Sequence, residues 1–475
     1  MAEAGAGGDD GTVVCVDFGS TFTKAALVDL AAGRIVASAS HRTTLPGPAG
    51  GDVLDGYDAC LAALTAQDAR AAGAEVLACS SAGGGLRVAV VGGEELVTAE
   101  AGRRVALSSG GKVVAVLAVA GPAGQGAPWR TLTDARPDVV LLTGGTDGGN
   151  PEALLAGARG LVGSGWRGPV VVAGNVEVRD RVAAVLGDVP HVLADNVVPR
   201  IGVLAPASAR AAIREMFLAH VIGGKHLSAR ADFTRMVRGA TPDVVLTGVE
   251  LLARGIDSEH PGAGDVVVVD VGGATTDVHS VVEVDPEDGS VDETGLAREV
   301  VATTPVTRTV EGDLGMRWSA ITTVADLPDL AGAAQRRHDD PGFLPGTEEE
   351  RDVDEAIARA AVSLALRRHA GRAKVVVGPD GRVVERTGKD LREVALLVGS
   401  GGVLRNGRAG VAGRVLAGST GEHVEGGWQL PRRARVVVDT DYVLAAAGLL
   451  ADPHPLAAYR LVRTLTEGRL SRLCR

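Results

Sequence analysis

The chain has 475 residues, a length that suits two domains better than one core, and its net charge of −11 gives no general attraction for nucleic acid or anionic membranes. Hydrophobic residues make up 45% but aromatics only 3%, so valine, leucine and alanine must fill the interior, and the 66 glycines cluster after valine-rich runs as strand-ending loops. Cys15, Cys60, Cys79 and Cys474 show no CxxC spacing, which argues against a zinc ribbon, an iron–sulfur motif or a disulfide scaffold and fits a reducing cytoplasmic setting.

Residues 1–11, MAEAGAGGDDG, are acidic and polar and read as a disordered tail. From Thr12, TVVCVDFGS predicts a buried strand breaking into a turn, and TFTKAALVDL a second strand, so the pair is a β-hairpin with a hydroxyl-rich tip. Strands are expected at 34–40 and 75–80, with a helix near 57–72 between them. Strands at 112–119, 138–142, 169–173 and 191–193 alternate with helices near 151–161 and 176–186, a βαβα rhythm that predicts parallel pairing. Helices follow at 206–221 and from Thr241, where threonine caps and Pro242 takes the first helical position. Residues 265–284, DVVVVDVGGATTDVHSVVEV, repeat the design of the first hairpin. A polar loop is expected over 336–352, then a helix, then the strand and glycine turn of VALLVGSGGVLRN at 394–406. The strand and small-residue helix of VVVDTDYVLAAAGLLA close the pattern.

The chemistry sits at three strand ends. In the first hairpin Asp17 closes the strand, Gly19, Ser20 and Thr21 form the turn, and Lys24 lies on the returning strand. Turn N–H groups and hydroxyls cradle phosphate oxygens, a carboxylate orients magnesium's water shell, and a lysine adds a point charge. Asp270, Gly272, Gly273, Ala274, Thr275, Thr276 and Asp277 repeat the arrangement. Either turn alone reads as ordinary turn chemistry. Two with strand, Asp, Gly and hydroxyl in one order predict a shared polyphosphate site. Gly399, Ser400, Gly401 and Gly402 follow a buried strand, and a glycine turn there lets a base and ribose lie against backbone.

This ordered set resembles the actin-like ATPase superfamily, whose first phosphate motif corresponds to Asp17–Lys24, its second to Asp270–Asp277 and its adenosine motif to Gly399–Gly402. The resemblance implies an α/β, two-domain, ribonuclease H-like fold with ATP and Mg²⁺ in the interdomain cleft. Asp17 and Asp270 would hold the metal through water, and Thr275 would contact the terminal phosphate. It also implies connecting helices near Thr241 and Asp441, the latter with a small face of Ala445, Ala446, Ala447 and Gly448. The boundaries expected are lobe I over 12–260 with an added α/β module near 111–240, lobe II over 261–430, and a returning segment over 431–475.

A narrower resemblance covers nearly the whole chain. VDFGSTFTKA, VLLTGGTDGGN, VVVAGNVEV, ADNVVPRIG, VDVGGATTDVHS, EGDLGMR and LLVGSGGVLRN look like the MutL-type accessory protein of adenosylcobalamin-dependent glutamate mutase. That likeness implies an ATP-driven reactivating partner of such a mutase, while the net charge of −11 leaves no nucleic-acid or membrane partner expected. A small-molecule kinase of the same fold and a nucleotide-sensing scaffold without turnover remain alternatives. Thr143–Asp147, Asn175 and Asn196 close strands and read either as a second ligand crevice or as tight loops; Glu311–Arg317 reads either as a contact loop or as a plain one.

Overall fold

The computed structural model describes residues 11–47, 50–119, 128–283, 304–378, 381–421 and 425–467. Most of the expected 1–11 tail and Cys474 therefore lie outside the described residues. The chain forms two compact units. The first is built chiefly from residues 11–248 and 445–460, the second from 249–283, 305–444 and 461–467. The chain passes from one to the other inside the Thr241–Arg254 helix, inside the Val443–Leu450 helix and inside the Pro455–Thr466 helix.

The first unit opens with an antiparallel meander of β1 (Thr12–Phe18), β2 (Phe22–Asp29) and β3 (Arg34–Arg42), and β4 (Glu75–Ser80) runs parallel beside β1. The Val53–Gln67 helix between β3 and β4 begins at a capping box: the Asp52 side chain accepts from the N3 backbone, and Asp55 at N3 accepts from Asp52 N–H. Next come β5 (Leu86–Gly92), β6 (Gly111–Ala118), β7 (Val139–Leu142), β8 (Val170–Val172) and β9 (His191–Leu193). They pair in the order β6-β5-β7-β8-β9, all parallel, as the alternating pattern predicts. The strand β5 is not among those expected, although its VAVV run carries the apolar character of a buried strand. Then β10 (Val237–Ala240) joins β4 in parallel and completes the order β10-β4-β1-β2-β3. One core serves both sheets: Val14, Val16 and Leu27 from the first share it with Val88, Val90 and Leu141 from the second. Phe18 packs edge-on against Phe233, ring centres 5.2 Å apart.

The second unit repeats the first sheet. A meander of β11 (Val266–Val271), β12 (Thr276–Val281) and β13 (Val306–Glu311) is followed by a hairpin of β14 (Arg372–Gly378) and β15 (Gly381–Thr387). β16 (Leu396–Ser400) then runs parallel to β11, and β17 (Arg435–Val438) parallel to β16. The order β13-β12-β11-β16-β17 matches that of the first unit strand for strand. Three antiparallel strands flanked by two parallel ones is the ribonuclease H-like order, and its presence in two units is the actin-like ATPase fold.

Two features refine the expectations. The polar stretch 336–352 is mostly not loop: the Ala331–Asp339 helix ends within it and the Glu348–His369 helix begins within it. That second helix starts at another capping box, Thr347 with Glu350, with acids in its first turn and Arg367, Arg368 and His369 in its last, complementing the helix dipole. The small face of the Val443–Leu450 helix is used within the first unit, where a Cβ on Gly448 would stand 1.9 Å from the Val244 carbonyl oxygen. No larger residue fits that approach. Among the described residues no helix is long and apolar enough to cross a membrane.

Candidate functional site

The first turn is closed by Gly19 N–H donating to the Phe22 carbonyl at 3.1 Å, and it leaves Ser20 and Thr21 exposed. Thr43, from the end of β3, ties the turn down: its hydroxyl donates to the Gly19 carbonyl at 2.8 Å and its N–H to the Thr21 carbonyl at 2.9 Å. Asp17 lies one residue before the end of β1, half-buried. Its Oδ2 faces Lys24 Nζ at 3.7 Å across the ladder, and its Oδ1 accepts from the Thr241 hydroxyl at 2.7 Å. Lys24 is thus drawn to the carboxylate from the opposite strand. Cys79, on β4, directs its thiol to the same oxygen at 3.7 Å, and burial together with the Asp17 charge pushes this thiol well above its ordinary range. Thr241 stands out as a residue the pattern assigned only to capping; it is also the hydroxyl that orients Asp17.

The second turn is built the same way, with Gly272 N–H donating to the Thr275 carbonyl at 2.9 Å and Gly273 and Ala274 exposed. Asp270 pairs in register with Asp277 on one side and Ser400 on the other, so it and the Gly399–Gly402 turn lie at the same end of the sheet. Asp277 is held by Arg308 of β13, at 2.6 and 3.0 Å, and accepts from the Thr275 hydroxyl at 3.3 Å. It anchors the hairpin. Thr276 faces away from the turn's exposed tip: it is fully buried and its hydroxyl donates to the Leu314 carbonyl at 3.1 Å.

Residues 311–317 brace this turn. Met316 N–H donates to the Gly272 carbonyl at 3.0 Å, Arg317 N–H to Gly273 at 2.8 Å, and the Ser319 hydroxyl to Ala274 at 2.6 Å. Glu311 and Asp313 both grip Arg368, each at 2.6 Å, which fixes the other end of the segment. The EGDLGMR motif is therefore in contact with the second turn through its backbone.

At the third turn Gly401 has φ +102°, and a Cβ there would stand 2.2 Å from the Val271 carbonyl, so only glycine lets the chain pass. Ser400 is buried; Gly402 is exposed and opens the Gly402–Arg405 helix. Asp439, after β17, accepts from the N–H groups of Val443 and Leu444 at 2.9 and 3.2 Å and caps the next helix. Burial raises its carboxyl above the ordinary range.

The middle motifs converge at the carboxyl ends of β7, β8 and β9. Asn196 Nδ2 donates to the Gly145 carbonyl at 3.0 Å and to Asp147 at 2.9 Å, while Asn175 Nδ2 donates to Gly149 at 3.3 Å. Both asparagines are buried, so these polar groups lace three loops into one edge.

Behind the second turn β12 carries a buried polar cluster. His369 bonds Ser280 at 2.7 Å and Thr309 at 3.0 Å, and Lys389 donates to Thr307 at 2.7 Å and Ser280 at 3.2 Å. Burial and the Arg308 charge push the His279 imidazole down to about 3; burial, Lys389 and His279 hold His369 well below its ordinary value. Both rings stay neutral when folded and take up a proton on unfolding. Their contribution is complete above the unfolded value near 6.5 and is lost as pH falls below it, for His279 toward about 3. Between pH 7.5 and 5 the second unit should lose roughly 1–2 kcal/mol per ring, read as a drop in its urea midpoint. An unchanged midpoint would contradict this.

A family model described as MutL protein matches residues 13–465. Protein MutL of Clostridium tetanomorphum is 34% identical over 468 residues, covering 94% of this chain and 97% of its own. Among solved structures, a nucleotide-free acetone carboxylase aligns with 96% of this chain and 61% of its own, at 14% identity and TM-score 0.32. The ethanolamine utilization protein EutJ of Carboxydothermus hydrogenoformans aligns with 94% of this chain and 89% of its own, at 11% identity and TM-score 0.28.

Proposed function

Since the chain belongs to the MutL family, we propose that it is an ATP-dependent accessory protein that reactivates an adenosylcobalamin-dependent mutase of the glutamate mutase type. The observation that carries this reading is the duplication: two sheets of one strand order, each ending a central strand in a half-buried aspartate beside an exposed glycine and hydroxyl turn. Those donors fit a magnesium polyphosphate. Asp17 and Asp270 would hold Mg²⁺ through its water shell. Gly19, Ser20, Thr21 and Lys24 would take phosphate from the first unit, and Gly272, Gly273, Ala274 and Thr275 from the second, with Thr276 as their buried support. Gly399, Ser400, Gly401 and Gly402 would lie against the adenosine. Magnesium supplies charge neutralisation at the terminal phosphates. The chain's own part is to fix the phosphates with turn N–H groups and hydroxyls and to exclude competing geometries.

On this reading the protein works in the cytoplasm, and ATP drives closure of the two units, which exchanges a spent cobalamin on the mutase. Mixing the protein with a cobalamin-inactivated glutamate mutase and Mg·ATP should release the damaged cofactor and restore turnover once fresh adenosylcobalamin is added. Failure to release cobalamin, with phosphate passed instead to a sugar or acyl acid, would replace this reading with the kinase.

A further inference from the structure

Four large apolar side chains stand in water along one stretch of the second unit: Leu344 is 81% exposed, Trp318 59%, Leu327 41% and Ile321 40%. Trp318 and Ile321 follow directly on the bracing segment. Leu344 is brought to the same place because Arg317 Nη2 donates to the Phe343 carbonyl at 3.0 Å, and His338 Nδ1 donates to the Trp318 carbonyl at 2.9 Å. The support beneath is firm: buried Arg337 binds Asp354 and lies 4.8 Å from the Phe343 ring centre. A partner would find these anchors already ordered, which lowers the entropy cost of docking.

The surrounding charge is one-sided. Asp326, Asp329, Asp339 and Asp340 are exposed, and among the described residues none of them has an ion-pair partner; Arg336 is the one exposed arginine between them. A second copy of this chain, at net −11, and an anionic lipid surface are both repelled by such a rim. Grouped exposed apolar side chains with a tryptophan at their head mark protein interfaces. We infer that Trp318, Ile321, Leu327 and Leu344 form a docking surface for a partner protein segment in which an apolar anchor is flanked by lysine or arginine. This goes beyond the function proposed above and holds whatever the partner's activity.

Two short synthetic peptides test it, each with a central Leu-Phe pair, one flanked by lysines and the other by glutamates, titrated against the full-length protein by fluorescence anisotropy. The lysine peptide should bind and the glutamate peptide should not, and added salt should weaken the complex. Trp318→Ser with Leu344→Ser, both already exposed and so tolerable to the fold, should lower affinity at least about tenfold. Circular dichroism checks that the variant is folded. No binding of the lysine peptide, equal binding of both peptides, or undiminished binding by the variant would each overturn the inference. Because no mutase enters the assay, its result stands apart from the reactivation experiment.

Discussion

Asp17→Asn and Asp270→Asn should each lower magnesium-dependent ATP hydrolysis by more than about 100-fold while the protein stays folded. The argument starts from shape. Asparagine keeps the volume and one oxygen, so the Thr241 hydroxyl, 2.7 Å from Asp17 Oδ1, still has an acceptor. What disappears is the negative charge that faces Lys24 at 3.7 Å and that would order the water shell of a metal. Asp270, in register with Asp277 and Ser400 near the end of its central strand, loses its negative charge in the same way. Phosphate release and far-ultraviolet circular dichroism on both variants are the measurements. Full hydrolysis by both would remove the assignment of these turns.

The largest stability effect should come from Arg337→Leu, with a loss of roughly 3–5 kcal/mol in the second unit. Arg337 is 1% exposed; its guanidinium binds Asp354 and donates to the carbonyls of Ala333 and Glu350 at 3.0 and 3.1 Å. Removing it leaves the buried Asp354 carboxylate with only the longer contact to Arg317, at 3.3 Å, among the described ion pairs. Replacing both members, Arg337→Leu with Asp354→Leu, should recover much of the loss, because the cost lies in the orphaned charge more than in the pair itself. Denaturant unfolding of the single and double variants reads this directly. A single variant as stable as the parent would mean that the pair contributes nothing.

The hairpins were legible in the sequence because their signal is local: a valine run, an aspartate, glycine and hydroxyls, then a second valine run, all within a few residues. The parallel sheet was legible for the same reason through its alternation with helices. Long-range contacts were not. Thr241 reaches Asp17 across 224 residues, and no spacing rule joins them. Arg337 sat in the stretch read as polar loop and Asp354 in the helix expected after it, although Thr347-x-x-Glu350 already carried a helix start inside that stretch. The β14–β15 hairpin had its own signal in VVVGPDGRVV, with a Pro-Asp-Gly turn between valine runs; the turn residues 379–380 lie outside the described residues.

The His369 ring has a spectroscopic consequence. Its two nitrogens are engaged by Ser280 and Thr309 in a region closed to solvent, so the N–H proton of the neutral imidazole has no easy route to exchange with water. In a nitrogen-labelled sample that proton should give a sharp, downfield resonance that persists long after transfer to heavy water. Its fading would time each opening of the second unit from within, with no dye, tag or substitution to disturb the strands around it.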